Sequence, residues 1–98
     1  MRKLEEYIEA LRRSKSYLIG KYSISRLGIF GSVAREEQTE DSDVDICFEG
    51  SAMSAFTLCQ FKSDLELILG ARVDILRMRK QLDGTYLKKS IHKDIVYV

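Results

Sequence analysis

Neither sign of charge dominates this chain: 16 lysines and arginines stand against 15 aspartates and glutamates over 98 residues, a formal charge of +1. A nucleic-acid binder usually carries a basic excess on one face, so direct nucleic-acid binding is not expected. Long apolar runs are missing too. No window approaches the roughly 18 uncharged apolar residues of a membrane helix, and no membrane association is expected. Arg2 and Lys3 are followed at once by Glu5, Glu6 and Glu9 rather than by an apolar stretch. That argues against a secretory leader and for a cytoplasmic location. Cysteine is scarce: Cys47 and Cys59 share no CxxC spacing, and His92 is the one imidazole that could join them. They are read as two buried thiols in a reducing cytosol rather than as soft metal ligands. Proline is absent altogether, which says nothing about function.

What is present suits one domain spanning 1–98, with a real but thin core from a 45% hydrophobic composition. Residues 2–16 read as a helix, with Leu4, Tyr7, Ile8 and Leu11 on one stripe. Leu18 to Ser25 reads as a turn. Arg26 to Phe30 is a short apolar run read as a strand, and Ser32 stands where a helix N-cap would. Asp43 to Phe48 alternates polar and apolar, the period of a half-buried strand. Ala55 to Leu69 is a second amphipathic helix, with Leu58, Phe61, Leu65 and Ile68 inward and Gly70 placed to end it. Arg72 to Leu76 is a third strand, Leu82 to Ile91 a helix, and Ile95 to Val98 a short strand. The order α-β-α-β-α-β-α predicts an α+β fold, with one sheet backed by helices.

Asp43 and Asp45 lie two apart on one strand, so their side chains share a face. Val44, Ile46 and Phe48 turn the other way, toward the core. Two adjacent carboxylates repel, and each raises the other's pKa unless a cation lies between them. A hard divalent cation suits such oxygen ligands and commonly arrives on substrate phosphates. Asp74, between Val73 and Ile75, reaches the same face if its strand pairs beside that of Asp45. Gly31 lets a phosphate approach the backbone, and the following helix N-terminus presents free N–H groups. The Ser32 hydroxyl adds a donor, and Arg35, one turn on, could aim a guanidinium at the same phosphates. Phosphate cradle and metal platform fall within about a dozen residues of each other. Taken singly, each piece has a commoner reading as a cap, a solvated strand or a surface arginine; the combination carries the signal. Nucleotidyl transfer needs little more, because it is mostly positioning and charge neutralisation.

Gly31-Ser32, ten residues and then Asp43-Val44-Asp45 resemble the GS-x10-DxD signature of the DNA polymerase β-like nucleotidyltransferase superfamily. Gly28 to Arg35 and Ser42 to Ile46 look like its minimal nucleotidyltransferase branch, over a resemblance that spans residues 26 to 76. It implies a mixed sheet with helices packed mainly on one face. It also implies two Mg²⁺ ions (or Mn²⁺) held by the catalytic Asp43, Asp45 and Asp74, with ATP as substrate. Gly31 and Ser32 would bind the β- and γ-phosphates, and Asp74 would help activate the attacking hydroxyl. One departure is visible: Glu36 stands where this branch often has glycine. With Glu37, Glu40 and Asp41 it makes the entrance more negative, which works against tight ATP binding.

With 98 residues there is no room for a second, acceptor-binding domain, so that side is expected to be open or completed by another chain. Small members of the branch are similar to antitoxins paired with HEPN-type ribonuclease toxins, some of which transfer AMP to a tyrosine of that partner. The resemblance thus implies a protein adenylyltransferase, in a hetero-oligomer or a homo-oligomer. The alternative is a module that keeps the fold and neutralises its partner by binding alone. A third reading is a structural metal site in an unrelated α/β protein. Cys47 shares the face of the aspartates and is read as a strand filler; His92 receives no catalytic role.

Overall fold

The computed structural model describes residues 3–78 and 93–98. Its first helix, α1 (Leu4–Tyr22), runs a turn and a half beyond the periodicity first read for it. The presumed turn at Leu18 to Ser25 is helix up to Tyr22. Leu18 and Tyr22 extend the buried stripe of Tyr7, Ala10 and Leu11 at helical spacing, and that burial outweighs the helix-weakening Gly20. The Glu6 carboxylate accepts the Lys3 N–H (3.2 Å), satisfying one open donor at the start. Ser23, with φ 53°, ends α1 in a left-handed cap.

Strand β1 (Ile24–Phe30) follows at once and runs antiparallel to β2 (Val44–Gly50). Between them lies a single helical turn, α2 (Gly31–Ala34). Helix α3 spans Ala55–Leu69 with Gly70 (φ 65°) closing it, as the sequence predicts, and Ser54 caps its start by accepting the Thr57 N–H (3.2 Å). Strand β3 (Val73–Arg77) pairs parallel with β2, and β4 (Val96–Tyr97) antiparallel with β1. The mixed sheet has the order β3-β2-β1-β4. The predicted helix at Leu82 to Ile91 lies outside the described residues.

Alternation along β1 and β2 decides which face is covered. Leu27, Ile29, Val44, Ile46 and Phe48 meet Leu11 and Leu18 of α1 and Phe61, Leu65 and Leu69 of α3 in one buried cluster. Phe61 sits at its centre, its ring 4.8 Å from Tyr22 and 5.2 Å from Phe48, the latter edge to face. At the rim, Asp64 of α3 accepts hydrogen bonds from the Tyr22 hydroxyl (2.5 Å) and Lys21 Nζ (3.0 Å) of α1, which fixes how the two helices cross. Leu58, expected inward, is exposed (37%), at a surface opening that it lines with Met53, Ile75 and Leu76. Cys59 is exposed and Cys47 buried, so only one of the two thiols expected in the core lies in it. The opposite sheet face carries a smaller cluster of Cys47 and Met78 against Phe30, Leu76 and Ile95. Among the described residues, no helix is long and apolar enough to cross a membrane.

Because Phe61 is wholly buried and touches both helices and the sheet, Phe61→Ala should cost about 3–5 kcal/mol. That is a large part of the roughly 5–15 kcal/mol that such domains possess. Urea unfolding would report it; a loss below about 1 kcal/mol would show that the core is not organised around this ring.

Candidate active site at the end of the sheet

The carboxylates gather where β1 ends and β2 and β3 begin. In the parallel ladder Asp45 is the register partner of Asp74, and across the antiparallel one Asp45 opposes Phe30. Register partners point to the same face, so Asp45 and Asp74 stand side by side on the face turned away from α1 and α3. The condition set by the sequence, that the third strand pair beside the second, is met. Asp43 lies one residue before β2 and outside any ladder pair. Its Oδ1 is 3.2 Å from Arg72 Nε.

The turn after β1 closes against these groups. Gly31 has φ 73°, and a Cβ built on it would overlap the Asp45 carboxylate. Both the left-handed backbone and the close approach therefore require glycine. Ser32 is not the predicted N-cap: Phe30 occupies that position and Ser32 lies inside α2. The chain enters the helix directly from the extended β1, so the cap falls one residue before the glycine. A helix of four residues offers open N–H groups rather than much of a macrodipole, which narrows the phosphate argument to local donors.

Arg35 follows α2, but its guanidinium is engaged twice, with Asp94 Oδ2 (2.9 Å) and Glu37 Oε2 (3.1 Å). The Asp94 hydrogen bond, then that of Glu37, raises its pKa further and keeps it charged. Glu36 has φ 58°, a conformation that costs a side chain roughly 1–2 kcal/mol, so a glycine here would relieve strain. Burial first, then the charges of Asp74 and Asp43, push the pKa of Asp45 above the usual carboxylate range, with Arg35 opposing. Cys47 is a buried filler beside the site, its thiol pushed up to about 12 mainly by burial.

The donor set fits a hard divalent cation. It is all oxygen, and the two like charges acting on Asp45 are a repulsion that a cation would relieve. Among the described residues no three candidate ligands are drawn into a ready cage. A cleft of about 260 Å³, lined by Thr39, Ser42, Gly70 and Arg72 among others, opens beside the site, but none of the three aspartates lines it.

Residues 4–98 match the nucleotidyltransferase domain family. The chain belongs to it. A Methanocaldococcus jannaschii protein named as a candidate protein adenylyltransferase is 41% identical over the whole of both chains. The protein adenylyltransferase MntA of Thermococcus cleftensis is 33% identical over 97% of this chain and 95% of its own. A solved candidate minimal nucleotidyltransferase superposes with a TM-score of 0.73 at 29% identity, covering 97% of this chain and 95% of its own. An MNT antitoxin in complex with a tri-AMPylated HEPN toxin of Shewanella oneidensis shares the fold, with a TM-score of 0.62 at 16% identity, covering 94% and 70%.

Two residues of this nucleotidyltransferase escaped the sequence reading. Arg72 stands two before Asp74, a spacing that places it toward the same face and was the available signal. Asp94 gave none, because it approaches Arg35 only through the distant pairing of β4 with β1.

A carboxyl whose pKa is higher in the folded than in the unfolded state binds more protons when folded. Its contribution to stability therefore falls as pH rises from the ordinary carboxylate value through the raised one. Metal-free Asp45→Asn should accordingly be more stable than the parent at pH 7, with the advantage shrinking as pH falls from the raised value of Asp45 to the ordinary one and gone at about pH 4. Urea midpoints at the two pH values check this, and a loss of stability at pH 7 would contradict it. Glu36→Gly should gain about 0.5–1 kcal/mol, the left-handed strain relieved less the extra entropy of the unfolded glycine. A lowered melting temperature would refute that.

Proposed function

We propose that this nucleotidyltransferase, acting as one domain, moves AMP from ATP to a tyrosine hydroxyl of a HEPN-type toxin and so acts as its antitoxin. The pairing of Asp45 with Asp74 beside the Gly31 turn carries the reading, since it places two carboxylates against a stretch of backbone that bears no side chain. The names of the M. jannaschii and T. cleftensis relatives and the AMPylated S. oneidensis toxin complex support the protein acceptor and the nucleotide.

In this reading the Gly31 and Ser32 backbone N–H groups and the Ser32 hydroxyl hold the β- and γ-phosphates. Arg35 supplies countercharge when it leaves Asp94 or Glu37. Asp43, Asp45 and Asp74 would hold two Mg²⁺ ions. Bound there, such ions neutralise the triphosphate and lower the pKa of the attacking hydroxyl. The tyrosine oxygen forms a bond to the α-phosphorus as the bond from that phosphorus to the β-bridging oxygen breaks. Diphosphate leaves, and the phenolic proton passes by way of Asp74 to solvent. The acceptor comes from a partner chain in a hetero-oligomer, in the cytoplasm, where Cys47 and Cys59 remain thiols.

Incubation with ATP, Mg²⁺ and the toxin encoded beside it should add one or more AMP units to a toxin tyrosine, read by intact mass and peptide mapping. Asp43→Asn with Asp45→Asn should slow the addition by more than about 100-fold, beyond the loss usual for an outer-shell change. If the toxin is neutralised equally well by that double variant, contact rather than transfer is the function.

A further inference from the structure

The three carboxylates are not held alike. Asp45 and Asp74 are fixed by the β2–β3 ladder, whereas Asp43 stands just ahead of it in the segment that leads in from the acid-rich loop. One residue grips that segment at three points, Asp41, Asp43 and Val44. The Arg72 guanidinium donates through Nη2 to the Asp41 carbonyl (3.0 Å), and its Nε lies 3.2 Å from Asp43 Oδ1. The Arg72 carbonyl accepts the Val44 N–H (2.9 Å). The planar fork of arginine makes the two side-chain contacts compatible, because its N–H groups diverge at fixed angles toward a carbonyl and a carboxylate. With Oδ1 occupied, Oδ2 of Asp43 keeps its lone pairs for another partner.

We propose that Arg72 is the positioning residue of this site: it anchors Asp43 by one oxygen so that the other is presented as a metal ligand. The inference rests on the reading of Asp43, Asp45 and Asp74 as ligands. Two effects oppose one another. A guanidinium beside a carboxylate competes with an incoming cation, but its side chain is 69% exposed, and ion pairs so exposed are worth no more than about fivefold in affinity. Outer-shell groups that orient a ligand are commonly worth 10- to 100-fold. Orientation therefore wins, and removing Arg72 weakens metal binding although it removes a positive charge. That sign separates the proposal from simple electrostatics.

The test is Mn²⁺ binding to the full chain without nucleotide, followed by the electron paramagnetic resonance of free Mn²⁺. The parent and Arg72→Gln, Arg72→Lys and Asp45→Asn are compared, and circular dichroism confirms that each is folded. Arg72→Gln should weaken Mn²⁺ binding about 2- to 20-fold, the outer-shell loss less the competition relieved. Arg72→Lys keeps the charge but not the fork and should recover only part of the loss. Binding by Arg72→Gln that is unchanged or tighter, while Asp45→Asn still loses Mn²⁺, overturns the role of Arg72 and leaves the site intact. No binding by the parent, or binding indifferent to Asp45→Asn, overturns the ligand reading and the inference with it.

Discussion

The register of β2 against β3 is the constraint on which the rest depends. One alignment sets Asp45 against Asp74 and, in the same stroke, Val44 against Val73 and Ile46 against Ile75. A slip of one residue would turn every side chain of one strand to the other face. The two aspartates would part, and Val44 and Ile46, at most 1% exposed, would be pulled from under α1 and α3. Core burial therefore enforces the juxtaposition of like charges, which those charges alone would resist.

That resistance is visible around the site. Asp45 titrates above its ordinary range, Gly31 and Glu36 hold left-handed backbone, and Asp43 is steadied by an arginine rather than by a strand. Each feature is individually unfavourable or weak, and each lies in the connection from β1 to β2 or at the start of β2. Strain of this kind persists only where surrounding structure over-determines it. Here the determination comes from the Leu11, Leu18, Phe61 and Leu65 layer on the other face.

Much of this was legible in the chain. The Asp-Val-Asp alternation predicted its strand, and α3 was bounded to the residue from its amphipathic period and from Gly70, a strong local signal at its end. What misled was local too. Leu18 to Ser25 read as a turn that tertiary burial of Leu18 and Tyr22 overrode, and Ser32 suited an N-cap that the extended entry from β1 moved to Phe30. The exposure of Leu58 and Cys59 depends on what packs against the first turns of α3, which periodicity does not encode. Arg72 and Asp94 act through strand pairings between distant segments. Residue types at a spacing can announce a carboxylate pair, but not the arginine that restrains one member of it.

Covering one sheet face with both long helices also divides labour between the faces. The apolar residues that stabilise the fold alternate with the carboxylates of the candidate site, so neighbours along β2 face opposite ways: Val44 and Ile46 toward the core, Asp45 toward that site. On the proposed reading, a substrate would reach Asp45 and Asp74 from the face that, among the described residues, α1 and α3 do not cover, without displacing the main core. Changes to the acidic loop or to Arg35 can then alter affinity at small cost to folding, because those side chains are exposed and their ion pairs contribute little to stability. Gly31 is the exception. It belongs to both functions at once, since the turn it permits ends β1 and opens the backbone to the carboxylates. A side chain there would disturb the fold and the chemistry together.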